Sequence, residues 1–316
     1  MTHPPVDPEL LPALELLAVF EGVSKENYHE LVSGAETPIE MPDYSREDVT
    51  ESQVFIPGLN GAPDVRALIH RSTKARTPLP VLLHIHGGGY VFGAPELNAP
   101  ANTSLAGDLE CMVVSVDYRL APATTAPGSV EDCYAALKWL NDNASELGID
   151  TNRIAVWGES AGGGLAASLT FLTRDRGEYS LCYQILAAPM VDDRTCINEN
   201  ISPHVGKLVW NQTSNHFGWK SLLGTEPGGD IIPPYSVPSR QTDFSGLPPA
   251  YIAVGALDLF LEEDIAYANK LLHTGIPTEL HVLPGAFHGY EAAIEANLTI
   301  YAEAERRKAL AKAFGL

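Results

Sequence analysis

The sequence predicts an α/β domain with a mainly parallel central sheet, helices on both faces and a helical cap. Three observations carry that expectation. Short β-branched and apolar runs recur along the 316 residues, each ending in Gly, Asp or Pro. Stretches with helical spacing separate most of these runs, and two longer regions stand outside the alternation. Strands that alternate with helices form a parallel sheet buried on both faces.

Residues 1–45 are the first region outside the alternation. Their opening, MTHPPVDPELLPALELLAVF, has an apolar run, but acids and prolines stand where a secretory signal would carry Lys or Arg, so it reads as mature protein. Residues 46–190 form the first part of the core, with LPVLLHIHGGG, CMVVSVDYR, RIAVWGES and YQILAAPMV as strands. Between them SVEDCYAALKWLNDNASELG predicts a helix opening on a Ser129-x-x-Asp132 capping pattern, and AGGGLAASLTFLTRDRG predicts another. Residues 191–249, rich in Asn, Pro, Gly and Trp, separate two core strands. An insertion of that length is more often a lid or binding element than a plain connection, so it is grouped with 1–45 as one cap. Its Trp210, Phe217 and Trp219 are expected either to wall an apolar pocket or to glue the cap to the core. Residues 250–316 complete the core with AYIAVGALD, the helix EEDIAYANKLLHTG, and ELHVLPGAFHG. Gly148, Gly177 and Gly275 close the three helices.

Composition narrows the partners. With 45% hydrophobic residues the chain can bury a substantial core. Forty acidic against twenty basic residues give a formal charge of -20, which repels phosphate backbones and anionic membrane surfaces. No nucleic acid and no membrane insertion are expected, because no stretch approaches the roughly 18 apolar residues of a span. A small neutral substrate suits this surface, and a homo-oligomer is left open. Cys111, Cys133, Cys182 and Cys196 are scattered without C-x-x-C spacing, which points to buried free thiols and a cytoplasmic setting.

The chemistry begins at RIAVWGESAGGGLAASL, where Ser160 lies between Gly158 and Gly162, after a buried strand and before a helix. G-x-S-x-G gains meaning from that context: the tight turn needs glycines, and it lifts the hydroxyl beside a helix N-terminus. Serine is a poor nucleophile until a base takes its proton, so a histidine and an acid to orient it are required at later strand ends. His288, in LPGAFHGY, follows the last predicted strand; Asp258, in VGALDLFLEED, ends the strand before. The competitors have other uses. His281 sits inside a strand and His273 at a helix end, while Glu262, Glu263 and Asp264 fall in a first helical turn, where acids complement the dipole. Asp192 and Asp193, also after a strand, are the reserve acids.

Attack on a carbonyl makes an oxyanion that needs backbone N–H donors, and only residues without side chains let the backbone come so close. Gly87, Gly88 and Gly89 form such a loop. The alternative use of His84-x-His86 as a metal pair needs further ligands, and the sequence has no H-E-x-x-H or Cys/His cluster, so no metal is expected. His84 and His86 should share one side of the strand, His84 packed and His86 propping the glycine loop by hydrogen bonding.

Most of the chain resembles the hormone-sensitive-lipase family of carboxylesterases within the α/β-hydrolase fold. His86-Gly87-Gly88-Gly89 is similar to its oxyanion motif, DYRLAP from Asp117 to its structural signature, and GESAGGG to its nucleophile elbow. The resemblance implies oxyanion donors at Gly88, Gly89 and Ala161, a triad of Ser160, Asp258 and His288 in that chain order, and no cofactor. Two departures stand out: Glu159 where the commoner elbow has Asp, and DYRLAPATTAPG, which lacks the usual acid and Phe-Pro after the signature. The expected activity is hydrolysis of short- to medium-chain carboxylic esters through an acyl-enzyme. An amidase or arylformamidase on the same scaffold is the alternative. A non-catalytic binder ranks lower, because the plant gibberellin receptors that resemble this family have lost the histidine that this chain retains.

Overall fold

The structure is a computed structural model that describes residues 5–17, 22–29 and 43–316. The parts of the expected N-terminal cap segment at 1–4, 18–21 and 30–42 lie outside the described residues. A short helix α1 (Leu11–Leu17) precedes an antiparallel pair, β1 (Val49–Ile56) and β2 (Val65–Ser72). The alternation then runs β3 (Leu79–Ile85), α2 (Ala99–Asp108), β4 (Met112–Asp117), α3 (Gly128–Asp142), α4 (Ala144–Leu147), β5 (Ile149–Glu159), α5 (Ala161–Arg176) and β6 (Tyr183–Ala187). After α6 (Gln212–Leu223) it resumes with β7 (Ala250–Gly255), α7 (Leu261–His273), β8 (Thr278–Leu283) and α8 (Asn297–Phe314). The eight strands make one sheet in the order β1-β2-β4-β3-β5-β6-β7-β8, parallel from β4 through β8.

Side-chain alternation divides the core between the two faces. Val81, Leu83 and Ile85 of β3 pack with Cys133 and Leu137 of α3, Leu169 of α5 and Leu271 of α7. Leu82 turns the other way, to Leu105 of α2 and to Leu310 and Phe314 of α8. Every residue of β3 is buried, as a central parallel strand requires.

All six expected strands are present, and β1 and β2 add an antiparallel edge that the sequence reading does not contain. The expected capping box at Ser129 does not form. The helix starts two residues earlier, at Gly128 after Pro127, without a side-chain cap. The Ser129 hydroxyl donates to the Arg119 carbonyl at 2.8 Å, while the Asp132 carboxylate accepts from the Arg119 backbone N–H and guanidinium at 2.7–3.1 Å. Arg119 thus takes both groups. The neighbouring residues of DYRLAP are tied down as well: Asp117 pairs with Arg66 at 2.7 Å, and the Tyr118 hydroxyl donates to the His86 carbonyl at 3.0 Å. Gly148, Gly177 and Gly275 all adopt positive φ at helix ends, as expected. The four cysteines are unpaired, three of them buried and Cys182 half-buried.

Candidate active site

Ser160 follows the last residue of β5 and is the N-cap of α5, at φ 54 and ψ -120. Glycines make that turn possible. A Cβ on Gly158 would stand 2.1 Å from the Gly162 carbonyl oxygen, and one on Gly162 would stand 2.1 Å from that of Ile85. The turn is pinned by the Ser160 N–H donating to the Ala187 carbonyl, and by its own carbonyl accepting from Gly164 and Met190.

The loops beyond β7 and β8 bring the other two predicted residues to the serine. His288 Nε2 lies 3.0 Å from Ser160 Oγ, and His288 Nδ1 lies 2.8 Å from Asp258 Oδ2. Asp258 is 1% exposed, and its second oxygen accepts from the Phe260 N–H at 3.0 Å. β7 ends at Gly255, so Asp258 sits in the turn after the strand. Burial opposes protonation of His288, but the Asp258 carboxylate, by charge and hydrogen bond, outweighs it with a smaller contribution from Glu291. The imidazole is therefore held above its ordinary range. Phe260 meets the imidazole ring edge-on, with ring centroids 5.2 Å apart.

The competing acids and histidines are occupied elsewhere. Asp192 pairs with Arg194, and Asp193 with Arg240 and the Gly228 N–H. Glu262 accepts from the Ser202 N–H and Glu263 from the Val191 and Asp192 N–H groups, while Asp264 is fully buried. His281 pairs with Glu279, and His273 is exposed at the end of α7.

Gly88 and Gly89 line the turn after β3 at φ 120 and φ 57. A Cβ on Gly88 would fall 2.0 Å from the Phe92 carbonyl oxygen, and one on Gly89 would fall 2.3 Å from the Trp210 ring. Ala161 is the first residue of α5, and its N–H, in the first helical turn, has no intrahelical acceptor. Hydrogen bonds among the described residues leave the N–H groups of Gly88, Gly89 and Ala161 unassigned to any acceptor. Two loop donors and one at a helix N-terminus can receive a developing negative charge.

His86 does prop this loop, with Nδ1 donating to the Gly87 carbonyl at 2.7 Å and the ring stacked on Tyr118 at 4.3 Å. Burial pushes its imidazole down to about 4. β3 stops at Ile85, however, so strand alternation does not extend to His86, and the neighbours of the two histidines differ. His84 instead faces Ser115 and Glu159, at 2.9 and 3.1 Å. For Glu159, burial is outweighed by His84 and Arg306, which leaves its carboxyl below the usual range. The two histidines converge on no common third ligand. Among the described residues, the His/Cys/Asp/Glu group close enough to share an ion is Glu279, His281 and Glu305, at the sheet's outer edge.

A cavity of about 670 Å³ opens on Ser160 and His288, and is lined also by Leu97, Glu159, Ile294 and Arg306. The three aromatics of 191–249 divide their roles. Trp210 reaches the site, against Gly89 and 6.1 Å from the His288 ring centroid. Trp219 is buried against Tyr90, and Phe217 packs on Tyr28 beside a separate hollow of about 640 Å³ that touches neither Ser160 nor His288. None of the three lines the cavity on Ser160 and His288, whose tryptophan is Trp157 of β5, so the expected aromatic wall from 191–249 is not found there. No helix among the described residues is long and apolar enough to cross a membrane.

Comparison with known proteins agrees with this geometry. The family described as alpha/beta hydrolase fold matches residues 82–292. Carboxylesterase NlhH of Mycobacterium tuberculosis is 34% identical over 236 residues, covering 74% of this chain and 73% of the relative. Ethyl acetate hydrolase of Pseudomonas putida is 31% identical over 266 residues, 78% of this chain and 82% of the relative. Among solved structures, a bacterial heroin esterase superposes with a TM-score of 0.87 at 37% identity, over 99% of both chains. By sequence and by fold, the chain belongs to the hormone-sensitive-lipase-like carboxylesterases of the α/β-hydrolase fold.

Proposed function

We propose that Ser160 is the nucleophile of a serine carboxylesterase, His288 its general base and then acid, and Asp258 the orienting acid. The observation that carries the reading is the continuous hydrogen-bonded series Asp258–His288–Ser160 at a strand-to-helix elbow. Ser160 Oγ attacks the ester carbonyl as His288 Nε2 takes its proton, and the N–H groups of Gly88, Gly89 and Ala161 receive the oxyanion. His288 then gives that proton to the departing alcohol. Water, activated by the same nitrogen, hydrolyses the acyl-enzyme. No step calls for a cofactor.

The chain is a carboxylic ester hydrolase. We take its substrates to be small esters with short to medium acyl groups, and residues 1–45 and 191–249 to be one cap over a core of 46–190 and 250–316. The activities for which relatives are named, among them the ethyl acetate hydrolase, support the small substrate. The four unpaired thiols support a cytoplasmic setting.

Fluorophosphonate labelling followed by peptide mapping tests the nucleophile. The adduct is expected on Ser160 and absent from Ser160→Ala, whose turnover falls by several orders of magnitude; an adduct on another residue would overturn the assignment. A matched ester and amide offered together separate the esterase from the amidase.

A further inference from the structure

A second histidine–carboxylate pair lies against the nucleophile's own backbone. His84, in the middle of the sheet, is 1% exposed. Its Nε2 lies 3.1 and 3.2 Å from the two carboxylate oxygens of Glu159, the residue before Ser160. The other ring nitrogen is backed by Ser115 Oγ of β4 at 2.9 Å and by Asn102 Nδ2 of α2 at 3.4 Å. The ring is held on both sides, and Nε2–H donates to Glu159.

Ser160 sits at positive φ, where a serine persists only if its surroundings over-determine it. On the downstream side its backbone is fixed by Gly164 and Met190. On the upstream side the sheet pairs Glu159 with Ala187, and among the described residues the side-chain hydrogen bonds of Glu159 go to His84 alone. Length matters here. An aspartate would hold its carboxyl about 1.5 Å closer to the backbone and lengthen that contact.

We infer that His84 is a positioning residue for the nucleophile, acting through Glu159, and that the longer acid at this elbow serves that contact. The inference rests on the reading of Ser160 as nucleophile. Misplacing a reacting atom by about 1 Å costs up to about 100-fold in rate, without weakening binding of the rest of the substrate. His84→Leu removes the donor at similar bulk, His84→Gln restores an N–H that can reach Glu159, and Glu159→Asp shortens the acid.

The experiment measures kcat and KM on p-nitrophenyl butyrate for these variants and for the His84→Leu/Glu159→Asp pair, with circular dichroism as the check on folding. His84→Leu and Glu159→Asp should each lower kcat about 10- to 100-fold with KM within about twofold, and His84→Gln should recover most of the loss. The double variant should be no worse than the more impaired single one, since both break one contact. A folded His84→Leu with wild-type kcat, losses that multiply in the pair, or a loss carried by KM overturns the inference. If His84→Leu does not fold, Glu159→Asp decides: unchanged kcat rejects the proposal. Fluorophosphonate labelling of the wild type separates the two readings. Failure to label Ser160 defeats the nucleophile, whereas labelling with unaffected His84 and Glu159 variants defeats the positioning alone.

Discussion

Replacing Asp258 with Asn keeps the shape of the site and changes one donor–acceptor relation. Both oxygens of the buried carboxylate are in use, one by His288 Nδ1 at 2.8 Å and one by the Phe260 N–H at 3.0 Å. An amide has a single oxygen. If that oxygen keeps Phe260, the NH₂ faces Nδ1, which must then accept, so the ring hydrogen moves to Nε2 and the base can no longer take the proton of Ser160. If the amide flips, its NH₂ opposes the Phe260 N–H, and an unsatisfied buried donor costs about 1–3 kcal/mol. The first arrangement is therefore favoured, and a wrong-tautomer histidine lowers kcat by about 10⁴. That loss corresponds to about 5.4 kcal/mol of barrier. Steady-state hydrolysis of p-nitrophenyl butyrate, followed from pH 5 to 9 with unfolding monitored in parallel, provides the assay. In the wild type, kcat/KM should rise with pH around a midpoint above 6.5, because the carboxylate stabilises the imidazolium. A folded Asp258→Asn enzyme within about tenfold of wild-type kcat would refute the reasoning, as would a Glu262→Gln enzyme equally impaired.

Gly88→Ala places a Cβ 2.0 Å from the Phe92 carbonyl at φ 120, so the loop must shift and kcat should fall about 100-fold or more; wild-type kcat in that variant would remove Gly88 from the oxyanion assignment. Burial lowers the His70 imidazole from 6.5 to about 4, with a smaller push from His84, so between those pH values the unfolded chain binds the extra proton. Stability from that histidine is complete above pH 6.5 and is lost as pH falls toward 4, and in thermal scans His70→Gln should flatten the decline relative to wild type. The cavity on Ser160 and His288 holds only about 670 Å³, so specificity constants measured from acetate to palmitate esters should peak at short to medium chains. A preference rising to palmitate in the wild type would reject that limit.

Local pattern made much of this molecule readable. The strands β3, β4 and β7 are nearly continuous apolar runs, because they are buried on both faces and have no solvent side to interrupt them. The edge pair was not readable for the converse reason. VTESQVFI is largely exposed and carries Glu51 and Gln53, while the mostly buried VRALIHRS carries Arg66, His70 and Arg71, and these polar residues blur the period of both. Ser160 announces itself through its two glycines, and Asp258 and His288 through their places after strands. Ser129-x-x-Asp132 misled because Arg119, ten residues before Ser129, takes both groups: its carbonyl accepts from the Ser129 hydroxyl and its guanidinium donates to Asp132. The roles of Trp210, Phe217 and Trp219 depend on where α6 docks, which composition does not encode. His84 was legible as a packed histidine, but its bond to Glu159 joins residues 75 apart.

The hydrogen bond from Ser160 to His288 spans 128 residues, and His288 is delivered by β8, which pairs with β7 alone at the sheet's edge. Contacts so distant in sequence are slow to close. A one-residue slip of β8 along β7 would carry the imidazole about 3.3 Å and exchange the strand's two faces. Ester turnover is therefore a register-sensitive reporter of refolding: recovery of helical dichroism marks the assembled interior, and any delay before turnover returns times the seating of the final strand.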